Sequence, residues 1–96
     1  MAIENVSRLI KHIEEVAGIS GLVVLDDNGN PVDGRTFLST LNGGRNIEEF
    51  SIAIKSTATI SDAIRYIQNR TYLNNVEFHD DEGNTIHGNT LISSLK

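Results

Sequence analysis

The chain repeats itself. Moving the sequence along itself by 54 residues brings residues 22–41 onto residues 76–95 without a gap, and eight of those twenty pairs are identical. They are Asp26/Asp80, Asp27/Asp81, Gly29/Gly83, Asn30/Asn84, Gly34/Gly88, Thr36/Thr90, Ser39/Ser93 and Leu41/Leu95. Other pairs exchange one apolar residue for another, as in Val24/Phe78 and Val32/Ile86. Upstream the same register aligns Val6/Ile60, Ser7/Ser61, Ile10/Ile64, Lys11/Arg65 and Ile13/Ile67. A repeat at fixed period restricts the fold more than composition does, because each copy must adopt one supersecondary unit. The sequence therefore predicts one domain of two units, at about 5–42 and 59–96, joined by residues 43–58.

Each unit reads as helix, hairpin, short helix. Val6, Leu9, Ile10, Ile13 and Val16 have the spacing of one helix face, which predicts a helix over 5–17. Asn5 is placed to cap its start and Gly18 to end it. Residues 22–26 form a strand, and the Asp-Asp-Asn-Gly-Asn stretch at 26–30 turns it, with Gly29 supplying the left-handed residue. Residues 31–33 begin a return strand, and Pro31 places it at a sheet edge because it has no amide donor. Phe37, Leu38 and Leu41 then lie on a short helix ending at Gly43-Gly44. In the second unit, Thr59 caps a helix through Ile60, Ala63, Ile64 and Ile67, with Asp62 completing a capping box. Residues 76–80 and 85–87 form the hairpin, and Leu91, Ile92 and Leu95 mark the last short helix.

Between the units, Phe50, Ile52 and Ile54 alternate with Glu49, Ser51 and Ala53, the pattern of a half-buried strand over about 47–54. It occurs once, so pseudo-symmetry places it at the centre of one antiparallel sheet, ordered return, first, linker, first, return. The expected fold class is α+β, with helices on one face of that sheet. Leu22 and Val24 then face the core, and Val23 and Leu25 face away beside Ala53. Their counterparts in the second unit are Glu77 and His79. An apolar patch of Val23, Leu25 and Ala53 on an open sheet face predicts a partner or a second subunit.

The stretch "NGNPVDGRTFLSTLNGG", followed by "FSIAI" and "ISDAIRYI", resembles the second half of the HPr phosphocarrier family of the bacterial sugar phosphotransferase system. The resemblance covers about residues 22–67. It implies an HPr-like arrangement of strands and helices, and by position it makes Thr36 the counterpart of a regulatory serine. It also assigns partner docking to Phe37, Leu38 and Leu41. The active-site Gly-x-His-Ala-Arg loop that should precede the first helix is absent, so no residue here inherits the phosphoaccepting histidine.

Composition excludes further chemistries. Net charge is −5, and the eight basic residues are scattered rather than gathered in a stripe, which argues against nucleic acid. There is no cysteine, hence no disulfide, thiolate nucleophile or thiolate metal site. No apolar run has the length needed to span a bilayer, so a cytoplasmic, non-membrane protein is expected. His79 and His87 lie on one hairpin, but the first unit has Leu25 and Asp33 at those places, and His12 borders a polar helix face. No metal or other cofactor is predicted. Neither acidic turn matches the EF-hand pattern, since its sixth position holds Pro31 or Thr85. The expectation is a non-catalytic protein-interaction or regulatory module, oligomeric, whose partner is a second copy or another protein. The alternative is a phosphotransferase-related regulator with a non-standard phosphoacceptor, Thr36 or a histidine.

Overall fold

A computed structural model describes residues 2–51, 55 and 57–95. The described chain is α+β, with two helices and two small antiparallel sheets. The order is β1 (Ala2–Ile3), α1 (Val6–Ala17), β2 (Leu22–Val24), a 3-10 helix (Leu38–Thr40), β3 (Ile47–Glu48), α2 (Ile60–Thr71), β4 (Val76–Phe78) and a second 3-10 helix (Ile92–Leu95).

Both long helices form where the apolar spacing puts them, and their caps are the expected side chains. Asn5 accepts a hydrogen bond from the Arg8 amide at 2.9 Å, and Gly18 ends α1 in the left-handed conformation. Thr59 and Asp62 bond reciprocally at the start of α2. Such caps contribute about 1 kcal/mol each. The buried face of α1 carries Val6, Leu9, Ile13 and Ala17, and that of α2 carries Ile60, Ala63 and Ile67. They share one core cluster with Leu22, Val24, Val76 and Phe78 of β2 and β4.

The same bonds recur 54 residues apart (Asp26 to Asp80). The Asp26 carboxylate accepts from the amides of Asn28 and Asn30, and the Asp80 carboxylate accepts from Glu82 and Asn84. The Ser7 amide donates to the Gly34 carbonyl, and Ser61 donates to Gly88, both at 2.9 Å. Val6 donates to Thr36, and Ile60 to Thr90. Most of the identities in the sequence are thus turn formers, or backbone contacts between a helix start and the segment after the hairpin.

The strand order departs from the expected one. No linker strand stands between β2 and β4, because they pair directly, with Leu22 opposite Phe78, Val23 opposite Glu77 and Val24 opposite Val76. The return segments flank this pair only as single bridges, Leu25 to Pro31 and His79 to Thr85. Beyond each bridge one further bond forms, Val32 N–H to the Val24 carbonyl at 3.0 Å and Ile86 N–H to the Phe78 carbonyl at 2.8 Å. The linker instead supplies β3, which pairs with β1. Ile3 and Ile47 meet there and are both buried, a hydrophobic contact that holds the linker away from the central position. Residues 52–54 of the expected strand, Ala53 among them, lie outside the described residues.

Direct pairing requires a close approach at Gly21. The His79 amide donates to the Gly21 carbonyl at 2.8 Å, and a Cβ on Gly21 would stand 2.1 Å from the His79 carbonyl oxygen. Gly21 also has φ +94, a conformation disfavoured for side-chain-bearing residues.

Candidate interaction surfaces

The outer face of the β2–β4 sheet is not the continuous apolar patch expected. Val23 and Leu25 are half-buried, and the residue directly opposite Val23 is Glu77. β3, the described strand of the linker, pairs with β1 and not with this sheet, and Ala53 lies outside the described residues. The Thr85 hydroxyl donates to Glu77 Oε2, and His79 Nε2 lies 3.1 Å from the same oxygen. The histidine contact is an ion-pair distance without hydrogen-bond geometry, leaving that buried nitrogen without a hydrogen-bond partner. The face is therefore mixed, with a carboxylate–hydroxyl–imidazole group next to two aliphatic side chains.

The Thr85 hydroxyl, and to a lesser degree His79, holds the Glu77 carboxyl below its ordinary value of 4.5, against an opposing effect of partial burial. A carboxyl depressed in the folded state stabilises above its unfolded value, and that contribution is lost as pH falls through the folded one. Wild type should accordingly exceed Glu77→Gln in stability at about pH 6, by no more than about 1 kcal/mol for a group this near the surface. The difference should shrink as pH falls from about 6 toward about 3, as read from urea denaturation across that range. An unchanged difference across that window would show that the contacts do not favour the ionised form.

The two short helices present their apolar residues unequally. Phe37 is 57% exposed, whereas Leu38 is buried at 1% and Leu41 is half-buried against the core. Leu38 is thus a core residue and not part of a docking surface: its 3-10 turn points it into the shared core cluster. In the second unit Leu91 and Leu95 are exposed and Ile92 is buried. Thr36 is half-buried, and its backbone is tied to both Asp33 and Val6.

Two of the histidines make hydrogen bonds of their own. His12 docks on the segment after β3: its Nε2 is 2.7 Å from the Phe50 carbonyl oxygen and 3.2 Å from the Phe50 amide nitrogen. One tautomer donates to the carbonyl and the other accepts from the amide. The rings meet edge-to-face at 5.1 Å. His87 Nδ1 accepts from the Asn89 amide at 3.1 Å on the surface. Among the described residues, no three of the His, Asp and Glu side chains gather in a way that could hold a metal ion. Among them, too, no helix is long and apolar enough to cross a membrane.

A groove that sequence reading did not find runs between the linker and the C-terminal end of α2. It measures about 530 Å³ and is lined by Glu48, Glu49, Phe50, Tyr66, Arg70 and Tyr72, together with Asn46 and Asn69. Tyr66 donates its hydroxyl hydrogen to the Ser51 carbonyl at 2.9 Å. The Arg70 guanidinium lies over the Tyr66 ring at 5.2 Å and donates to its hydroxyl at 3.2 Å. Arg45 lies 4.4 Å over the Tyr72 ring. The buried Asn42 holds the two sides together, because its amide donates to the carbonyls of Arg45 and Thr71 and its oxygen accepts from the Arg45 amide. Tyr72 ends α2 with φ 57, in the place that Gly18 occupies at the end of α1. A side chain in that conformation costs on the order of 1 kcal/mol relative to glycine. The one signal available in the sequence was this substitution of tyrosine for glycine at the repeated helix end.

No family model, curated protein or solved structure is significantly similar to the chain.

Proposed function

We propose that this chain is a non-catalytic protein-interaction module, built from two copies of one helix–hairpin–helix unit, whose partner is a second copy of itself. The observation that carries the reading is the exposure of Phe37 (57%) and Leu91 (46%), which hold equivalent places in the two units, each just before a 3-10 helix. The internal copy is supported by the gap-free identities and by the hydrogen bonds that repeat at the same offset. Nothing in the turns or the core needs an aromatic ring at 37, and a smaller polar residue would be less costly to leave in water.

Burying a large apolar side chain completely contributes roughly 1.5–3 kcal/mol. A two-fold contact counts each residue twice, so these positions supply several kcal/mol, against which the entropy of association is set. Sedimentation equilibrium at about 10–100 µM, a range that brackets affinities of such marginal contacts, should find a dimer or larger species. The Phe37→Ser, Leu91→Ser double variant should remain folded by circular dichroism and sediment as a monomer. A wild-type monomer throughout that range would overturn the reading, and so would a double variant that still associates.

A further inference from the structure

We infer that the groove between β3 and the end of α2 binds a cationic side chain, and hence an extended peptide segment rich in arginine or lysine. This is a different surface from the one carrying self-association. Three aromatic rings and two carboxylates converge on it, and both groups attract cations: the ring faces through their quadrupole, the carboxylates by charge. The ring faces already attract cations within the chain, as Arg45 lies over Tyr72 and Arg70 over Tyr66. Arg45 is not among the residues lining the groove.

Among the described residues, neither Glu48 nor Glu49 has an ion-pair partner, and the pair outweighs the one guanidinium in the groove. The chain's net charge of −5 acts in the same direction by steering a basic partner toward it. Asn46 and Asn69 in the lining offer side-chain amides to a peptide backbone. The volume of about 530 Å³ lies within the range of ligand sites. Tyr72 adds an independent sign. It keeps a conformation suited to glycine, at a helix end where the other unit has glycine, which is expected where the ring is retained for contact rather than for backbone geometry.

The chain contains its own reporter. It has two tyrosines and no tryptophan, and both tyrosines line this groove, so intrinsic fluorescence reads the site directly. Titration of the full chain with hexa-arginine amide at low salt should give a saturable fluorescence change, with a dissociation constant on the order of 100 µM. Hexaglutamate should give none. The Glu48→Gln, Glu49→Gln double variant should bind at least about tenfold more weakly, and Tyr72→Leu should also weaken binding while leaving Tyr66 as reporter. Asp81→Asn with Glu82→Gln removes the same charge from an exposed hairpin turn and should bind like wild type. The proposal is overturned by the absence of a saturable change with hexa-arginine, by binding of hexaglutamate instead, or by equal loss in the two double variants. The last result would mean that overall charge, and not the groove, attracts the peptide.

Discussion

Replacing Gly21 by alanine should lower the unfolding free energy by about 3 kcal/mol or more, the sum of an unfavourable backbone conformation and a steric conflict that cannot relax cheaply. The added methyl would meet the His79 carbonyl oxygen at 2.1 Å, and that oxygen belongs to the backbone of the paired strand rather than to a movable side chain. Relief requires β2 and β4 to part at this end, which sacrifices the 2.8 Å bond from the His79 amide. Gly29 provides the internal comparison. It has φ +83 but open space where its Cβ would go, so Gly29→Ala should cost only about 1 kcal/mol. Urea denaturation of the two variants separates conformation from contact. Equal losses would mean that the β2–β4 approach is looser than described.

Phe78→Ala should be comparably damaging, at about 3–5 kcal/mol. Phe78 is completely buried, lies opposite Leu22 in the paired strands, and belongs to the cluster that both helices share. Removing the ring leaves a cavity between α1, α2 and the sheet that small aliphatic neighbours cannot fill. A domain of this size is expected to have a total stability of roughly 5–14 kcal/mol, so the variant would lose a large share of it. A midpoint shift in urea corresponding to less than 1 kcal/mol would place Phe78 outside the core.

The sequence is most informative where structure is local. Residues 5–17 and 59–71 declare helices because apolar spacing, cap and stop signal agree within one segment, and the turns at Gly29 and Gly83 follow from a glycine within an acidic stretch. Pairing between strands is not local. Val23 meets Glu77, and no property of either residue announces the other, so symmetry alone suggested that the unique strand belonged in the middle. The two-residue β1 is too short to leave a period, yet its contact with Ile47 is what draws the linker aside. The groove was illegible for the same reason. Its parts come from residues 46–50 and 66–72, brought together by a buried asparagine that in sequence is only one more polar residue beside two glycines. The apolar spacing predicts Phe37 and Leu38 on one short helix, but Phe37 stands just before the 3-10 turn in extended backbone, which leaves it exposed beside the buried Leu38.

The direct pairing of β2 with β4 has a consequence for how the chain reaches its fold during synthesis. The contacts of α1 and the first hairpin are close in sequence and can form early. The inner edge of β2, by contrast, has no partner until residues 76–78 have been made. For that interval the first unit presents Leu22, Val23 and Val24 on an open strand, an edge that pairs readily with other chains. The half-chain is therefore the most aggregation-prone species on the route, and completion of the second unit both closes the sheet and ends that exposure.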